Sequence, residues 1–160
     1  MSVKCTCSAA IVTSGSIDSV AGNARAGRLW PEESRDTLSM IDLALKQAMR
    51  SQCRQRVGAV LALGTRVAVA SPNRRRNDPA VTSRYATFHA EEAVLRRAAR
   101  TAHSTVYVAR VDAAGYPRMA KPCPRCQKAL LAAGIARVHY TIDPDTVGTM
   151  KIAKISLTDI

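Results

Sequence analysis

Four residues of this 160-residue chain have the types and spacing to do chemistry: His89 and Glu91 in "FHAEEAVL", and Cys123 and Cys126 in "KPCPRCQKAL". One imidazole and two thiolates make three ligands for a zinc ion and leave its fourth tetrahedral position to water, whereas a structural zinc normally takes four protein ligands. Cysteines at the start of a helix sit at its positive end, which favours the thiolates a metal needs. Glu91, two residues beyond the histidine, is suited to take a proton from that water and return it to a leaving group. Each piece alone has a plainer reading. His-x-Glu is common, acidic residues suit any first helical turn, and Cys-x-x-Cys also suits a redox pair of thioredoxin type. The proline before the cysteines, and the lack of a strand leading into such a motif near the N-terminus, speak against the redox pair.

These residues must be carried by elements that bring them together. Leu38, Ile41, Leu45, Ala48 and Met49 recur at helical spacing over Asp36 to Arg50. "VGAVLAL" and "RVAVAS", joined at Gly64-Thr65, read as an antiparallel hairpin. After the polar loop "PNRRRNDPAVTSRY", a helix is expected from about Phe88 to Arg100, with Ala90, Val94, Leu95 and Ala98 facing the core. "STVYVARV" reads as a strand, Pro124 to Ala133 as a short helix stopped by Gly134, and "ARVHYTI" as another strand. "TMKIAKISL" reads as a last strand after the turn "DPDTVG". The order αββαβαβ, with a possible terminal β, predicts an α/β fold around one sheet. The domain is expected over 34–160, after a loosely ordered leader over 1–33 in which "WPEESRD" prepares the first helix.

Composition bounds the setting. A hydrophobic fraction of 47% suits a globular domain and argues against wholesale disorder. No apolar run reaches the length of a membrane span, and the N-terminus lacks a secretory core, so a cytoplasmic protein is expected. Five cysteines, an odd number, then point to metal ligation or free thiols before disulfides. Cys5 and Cys7 have no second pair nearby and are read as part of a frayed N-terminus. The net charge of +12 rests mainly on arginine. It reads equally as the codon bias of a GC-rich genome or as a surface for phosphate.

The combination His-x-Glu followed by Pro-Cys-x-x-Cys is a zinc deaminase signature. With "HAEEAVL", "KPCPRC" and "ALLAAGIARVHYT", the chain resembles the cytidine and deoxycytidylate deaminase superfamily over about residues 36 to 141. The resemblance implies a three-layer sandwich, a mixed five-stranded sheet flanked by helices. It implies zinc held by His89, Cys123 and Cys126, with Glu91 as the proton shuttle, and hydrolytic deamination of a nucleobase. Cytosine is favoured over adenine, because the family's tRNA adenosine deaminases tend to carry methionine where this chain has Arg125, and end in a long helix. Here only a short turn precedes "MKIAKISL", which predicts an antiparallel terminal hairpin. The free-cytidine enzymes usually read P-C-G-x-C-R-Q where this chain reads P-C-P-R-C-Q.

Asn73 matches a position that commonly contacts the sugar, and Ala90 and Arg74 are further candidates for substrate contact. Arg74, Arg75 and Arg76 could reach a phosphate or a flanking nucleotide, or form a solvated loop. Aromatic residues are scarce, so Tyr85 and Tyr116 are weighed as base platforms against ordinary loop packing, while Phe88 is read as core. Arg96, Arg97 and Arg100 are read as a solvated helix face. The expected partner is a small-molecule cytosine nucleoside or nucleotide, with self-association possible. The charge supports a second reading, deamination within single-stranded nucleic acid, which the scarcity of aromatics opposes. A third, a catalytically silent zinc domain that binds nucleic acid, would not need Glu91.

Overall fold

A computed structural model describes residues 35–76 and 87–152. The expected leader with Cys5 and Cys7, Tyr85, and the chain after residue 152 lie outside the described residues.

The first helix, α1 (Arg35–Met49), presents the predicted apolar stripe: Met40, Ile41, Ala44, Leu45 and Ala48 are buried. Beside it run β1 (Arg56–Leu63) and β2 (Arg66–Pro72), an antiparallel hairpin turned at Gly64, whose φ of 60° suits a residue without Cβ. The middle of the sheet is β5 (Thr105–Val111), and β7 (Arg137–Thr141) and β8 (Val147–Lys151) complete it. The strand order is β2-β1-β5-β7-β8, with β5 and β7 parallel and the other neighbours antiparallel. A parallel pair needs a crossover, and α3 (Pro124–Ala132) lies in it, ending before Gly134 at φ 70°. The antiparallel β7–β8 pair is the terminal hairpin predicted from the short turn.

Alternation along the central strands divides the core between two faces. Val60, Ala62, Tyr107, Ala109 and Val111 pack with α1. Ala59, Leu61, Val106 and Val108 face the other way, onto α2 (Ala90–Arg97) and α3, through Val94 and Leu130. Fully burying one such leucine or isoleucine contributes about 1.5–3 kcal/mol. The result is the expected three-layer α/β sandwich around a mixed sheet. At Gly58, α1 approaches β1 so closely that an added methyl would collide with the Ala44 carbonyl and the Ala48 amide.

Three details differ from the sequence reading. The second helix is eight residues, not thirteen: Phe88 belongs to a two-residue strand, β4 (Thr87–Phe88), paired with β3 (Arg74–Arg75), and Ala98 has already turned to extended backbone. Phe88 is half-buried rather than core, with the Arg76 and Arg96 guanidinium groups 5.4 and 4.8 Å from its ring centre. The short β6 (Pro117–Arg118), absent from the prediction, extends the sheet by pairing with the end of β5. Among the described residues no helix is long and apolar enough to cross a membrane.

Candidate metal centre and active site

The N-termini of α2 and α3 converge. His89 is the N-cap of α2, in extended backbone, and its side chain makes no capping hydrogen bond. Cys123 is the N-cap of α3, Pro124 fills the first helical position where no N–H is needed, and Cys126 lies in the first turn. The imidazole is thereby free to face the thiols. His89 Nδ1 lies 3.1 Å from Cys126 Sγ and 3.7 Å from Cys123 Sγ. All three donor atoms lie within 4.8 Å of one another. A tetrahedral ion with bonds of about 2.0–2.3 Å sets donors roughly 3.5 Å apart. Two sulfurs and one imidazole nitrogen at that spacing fit zinc.

The electrostatics also suit a cation. Helix N-termini lower thiol pKa, but burial outweighs them here: it pushes the Cys126 thiol well up, and negative charge on Glu91 and Cys123 pushes it further. A dication between the thiols supplies the positive charge that this pair lacks. Glu91 is 5% exposed, and desolvation raises its carboxyl above the usual range, against opposing help from a backbone N–H, His89 and Cys126. Its neighbour Glu92 faces elsewhere. It pairs with Arg125 at 3.1 Å and with Arg76 at 3.6 Å, tying α2 to α3 and to the segment after β3. Arg125, the residue inside the Cys-x-x-Cys, thus serves Glu92.

A cavity of about 330 Å³ opens over this centre, lined by His89, Ala90, Glu91, Cys123, Asn73 and Thr87 among others. Asn73 is 4% exposed and heavily engaged. Its Oδ1 accepts from Ser51 Oγ at 2.6 Å and the Val57 amide at 2.9 Å, and its Nδ2 donates to the Gln55 carbonyl at 2.8 Å. One Nδ2 hydrogen remains for a ligand.

Of the predicted residues, the fold therefore gathers His89, Cys123, Cys126, Glu91, Ala90 and Asn73 around one space. Arg74 is exposed on β3 and Tyr116 is 60% exposed in the β5–β6 loop, and neither is among the cavity's lining residues. The cavity wall also holds residues the sequence reading passed over: Arg54, Gln55, Arg110, Met119 and Lys121. Arg110 had a signal. On β5 it occupies the next same-face position after Val106 and Val108, where a core strand would carry another apolar residue.

Residues 33–142 match the family model for the cytidine and deoxycytidylate deaminase zinc-binding region. Among solved structures, the fold is similar to a dCMP deaminase from the cyanophage S-TIM5, at 18% identity and a TM-score of 0.53, covering 68% of this chain and 84% of that one. It is also similar to a cytidine deaminase from Burkholderia pseudomallei, at 16% identity and a TM-score of 0.55, covering 72% of this chain and 91% of that one. The sequence matches no curated protein. Matched across most of its length, and carrying a donor set that fits zinc, the chain belongs to the cytidine and deoxycytidylate deaminase family.

Proposed function

We propose that the protein catalyses zinc-dependent hydrolytic deamination of the cytosine base in a free nucleoside or nucleotide, giving a uracil base and ammonia. The observation that carries this reading is the buried Glu91 carboxyl in the same cavity wall as the three converging donors of His89, Cys123 and Cys126. His89, Cys123 and Cys126 would hold the metal, which when bound supplies the Lewis acidity that makes water acidic near neutral pH.

The rest of the chemistry falls to Glu91. Water adds to the ring carbon bearing the exocyclic amine. The Glu91 carboxylate takes one proton from the water and passes it to the ring nitrogen; it then takes the second from the hydroxyl now on the ring carbon and delivers it to the amine, which leaves as ammonia as the carbonyl forms and the C–N bond breaks. A carboxyl raised by desolvation accepts and donates that proton near neutrality more readily than an ordinary one. Ala90 offers a small buried surface against which a flat ring can lie, and the spare Asn73 Nδ2 hydrogen suits a sugar oxygen. The similar phage enzyme was solved in complex with dCMP and dUMP, which favours a small cytosine substrate here as well.

The test is a substrate panel: zinc-loaded protein with cytidine, deoxycytidine, their monophosphates and a cytosine-bearing oligonucleotide, read as uracil products. Turnover of at least one free nucleoside or nucleotide is expected. Deamination of the oligonucleotide alone would replace the reading with one of nucleic-acid editing.

A further inference from the structure

The cavity carries three cations that the deamination chemistry does not use: Arg54, Arg110 and Lys121. None has an ion-pair partner among the described residues, and Glu91 is the single carboxylate in the described wall. Arg110 is the most constrained of the three. It is half-buried, and its Nε is buried without a hydrogen-bond partner among the described residues. A buried N–H without an acceptor is unfavourable, and an anion in the cavity offsets that cost.

The neighbouring charges point the same way. Arg118 lies directly across the ladder from Arg110, an unfavourable pairing of like charges. Asp112 takes up the Arg118 charge, at 2.8 Å from Nη2 and 3.0 Å from Nε. The Tyr116 amide and Arg118 hold the Asp112 carboxyl below its usual range, so that partner stays charged. Among the described residues, Arg110 has no ion-pair partner, and the one carboxylate that shares the cavity wall with it is Glu91.

Depth orders the site. Glu91, Ala90 and Asn73 are buried, while Arg54 and Lys121 are exposed at the rim. A base placed with its reactive carbon at Glu91 would direct the outer end of its substrate toward the three cations.

We propose that Arg110, with Arg54 and Lys121, binds the phosphate of a cytosine nucleoside monophosphate and so selects the phosphorylated substrate. This inference rests on the deaminase reading of the same site. A terminal phosphate carries roughly −1.5 to −2 charge near neutral pH, more than a nucleic-acid diester, and Arg110 offers a planar fork for bidentate contact. The arginines after Asn73 are less suited: Arg74 is outside the wall, and Arg76 is held by Glu92.

The experiment measures calorimetric binding of dUMP and deoxyuridine to the zinc-loaded protein, together with kcat/KM for dCMP and deoxycytidine. The wild type is expected to prefer the monophosphate by about tenfold or more, the scale of one charge-assisted contact. Arg110→Gln should remove most of that preference, and the exposed surface variant Arg100→Gln should preserve it. If Arg110→Gln does not fold, the double variant Arg54→Gln/Lys121→Gln, at exposed positions, should narrow the preference severalfold. Equal binding of dUMP and deoxyuridine with deamination intact overturns the phosphate assignment and leaves the deaminase reading standing. Loss of the preference in Arg74→Gln with retention in Arg110→Gln overturns it as well, as does a preference for a cytosine oligonucleotide over dCMP. Arg110-dependent binding of dUMP without deamination of any cytosine substrate supports the phosphate site and defeats the deaminase reading.

Discussion

His89 Nδ1 lies 3.1 Å from Cys126 Sγ, although 37 residues separate them in the chain. The contact joins the first turns of two helices through side chains that would otherwise be a buried thiol and a half-buried imidazole. A metal at this junction is therefore coupled to local stability. Cys123→Ser/Cys126→Ser should reduce bound zinc from about one per chain to near none, and lower the melting temperature of the zinc-loaded protein. Metal analysis and thermal denaturation on the same samples check both. Full zinc retention would remove the site.

Zinc uptake should also depend on pH, in a direction the thiols dictate. Burial raises the Cys126 pKa, so the metal-free protein keeps this thiol protonated and must release the proton when metal binds. Apparent zinc affinity should therefore fall as pH falls. Competition against a chelator at several pH values, with proton release followed in a weak buffer, measures it. Affinity independent of pH would contradict the protonated thiol.

Glu91 makes a second pH prediction, for the metal-free protein. A carboxyl whose folded pKa is raised binds protons more tightly folded than unfolded, so it favours folding in acid and opposes it as pH rises through the ordinary carboxylate range. Glu91→Gln removes that penalty. Metal-free Glu91→Gln should be more stable than metal-free wild type at pH 7, with the difference disappearing as pH falls below the ordinary carboxylate range. Urea denaturation at both pH values reads the sign directly.

The packing of α1 on β1 at Gly58 predicts a large effect from one methyl. The added Cβ would meet α1 backbone rather than a flexible side chain, so the helix itself must shift. Gly58→Ala should destabilise the fold by about 1–3 kcal/mol, the usual cost of overpacking, or more. A neutral result in chemical denaturation would mean that α1 slides freely over the sheet.

Much of this was legible in the sequence, for physical reasons. The metal ligands declared themselves because zinc demands particular donors at particular spacings, and the terminal hairpin because so short a turn cannot hold a helix. The end of α2 was not legible. Arg96 to Arg100 has good helix propensity, but Phe88 pairs with Arg74 and fixes where the helix begins, and Ala98 is already extended where it ends. How Asn73 is held and where Arg74 lies were also not legible. Asn73 spends most of its hydrogen-bonding capacity on Ser51, Val57 and Gln55, and Arg74 lies outside the cavity wall, facts that only long-range pairing decides. Arg110 was legible in principle, as a charge at a core-facing strand position, but its meaning depended on Arg118 being neutralised across a short strand the sequence did not reveal.

If the buried Glu91 carboxylate beside the zinc site moves protons for deamination, its loss must stop turnover without removing the metal. The measurement is uracil formation from cytosine nucleosides and nucleotides with wild type and Glu91→Gln, zinc content being determined on each sample. Equal zinc is expected in both proteins, with turnover in the wild type and a loss of about a hundredfold or more in Glu91→Gln. Zinc-loaded Glu91→Gln turning over at the wild-type rate would contradict it.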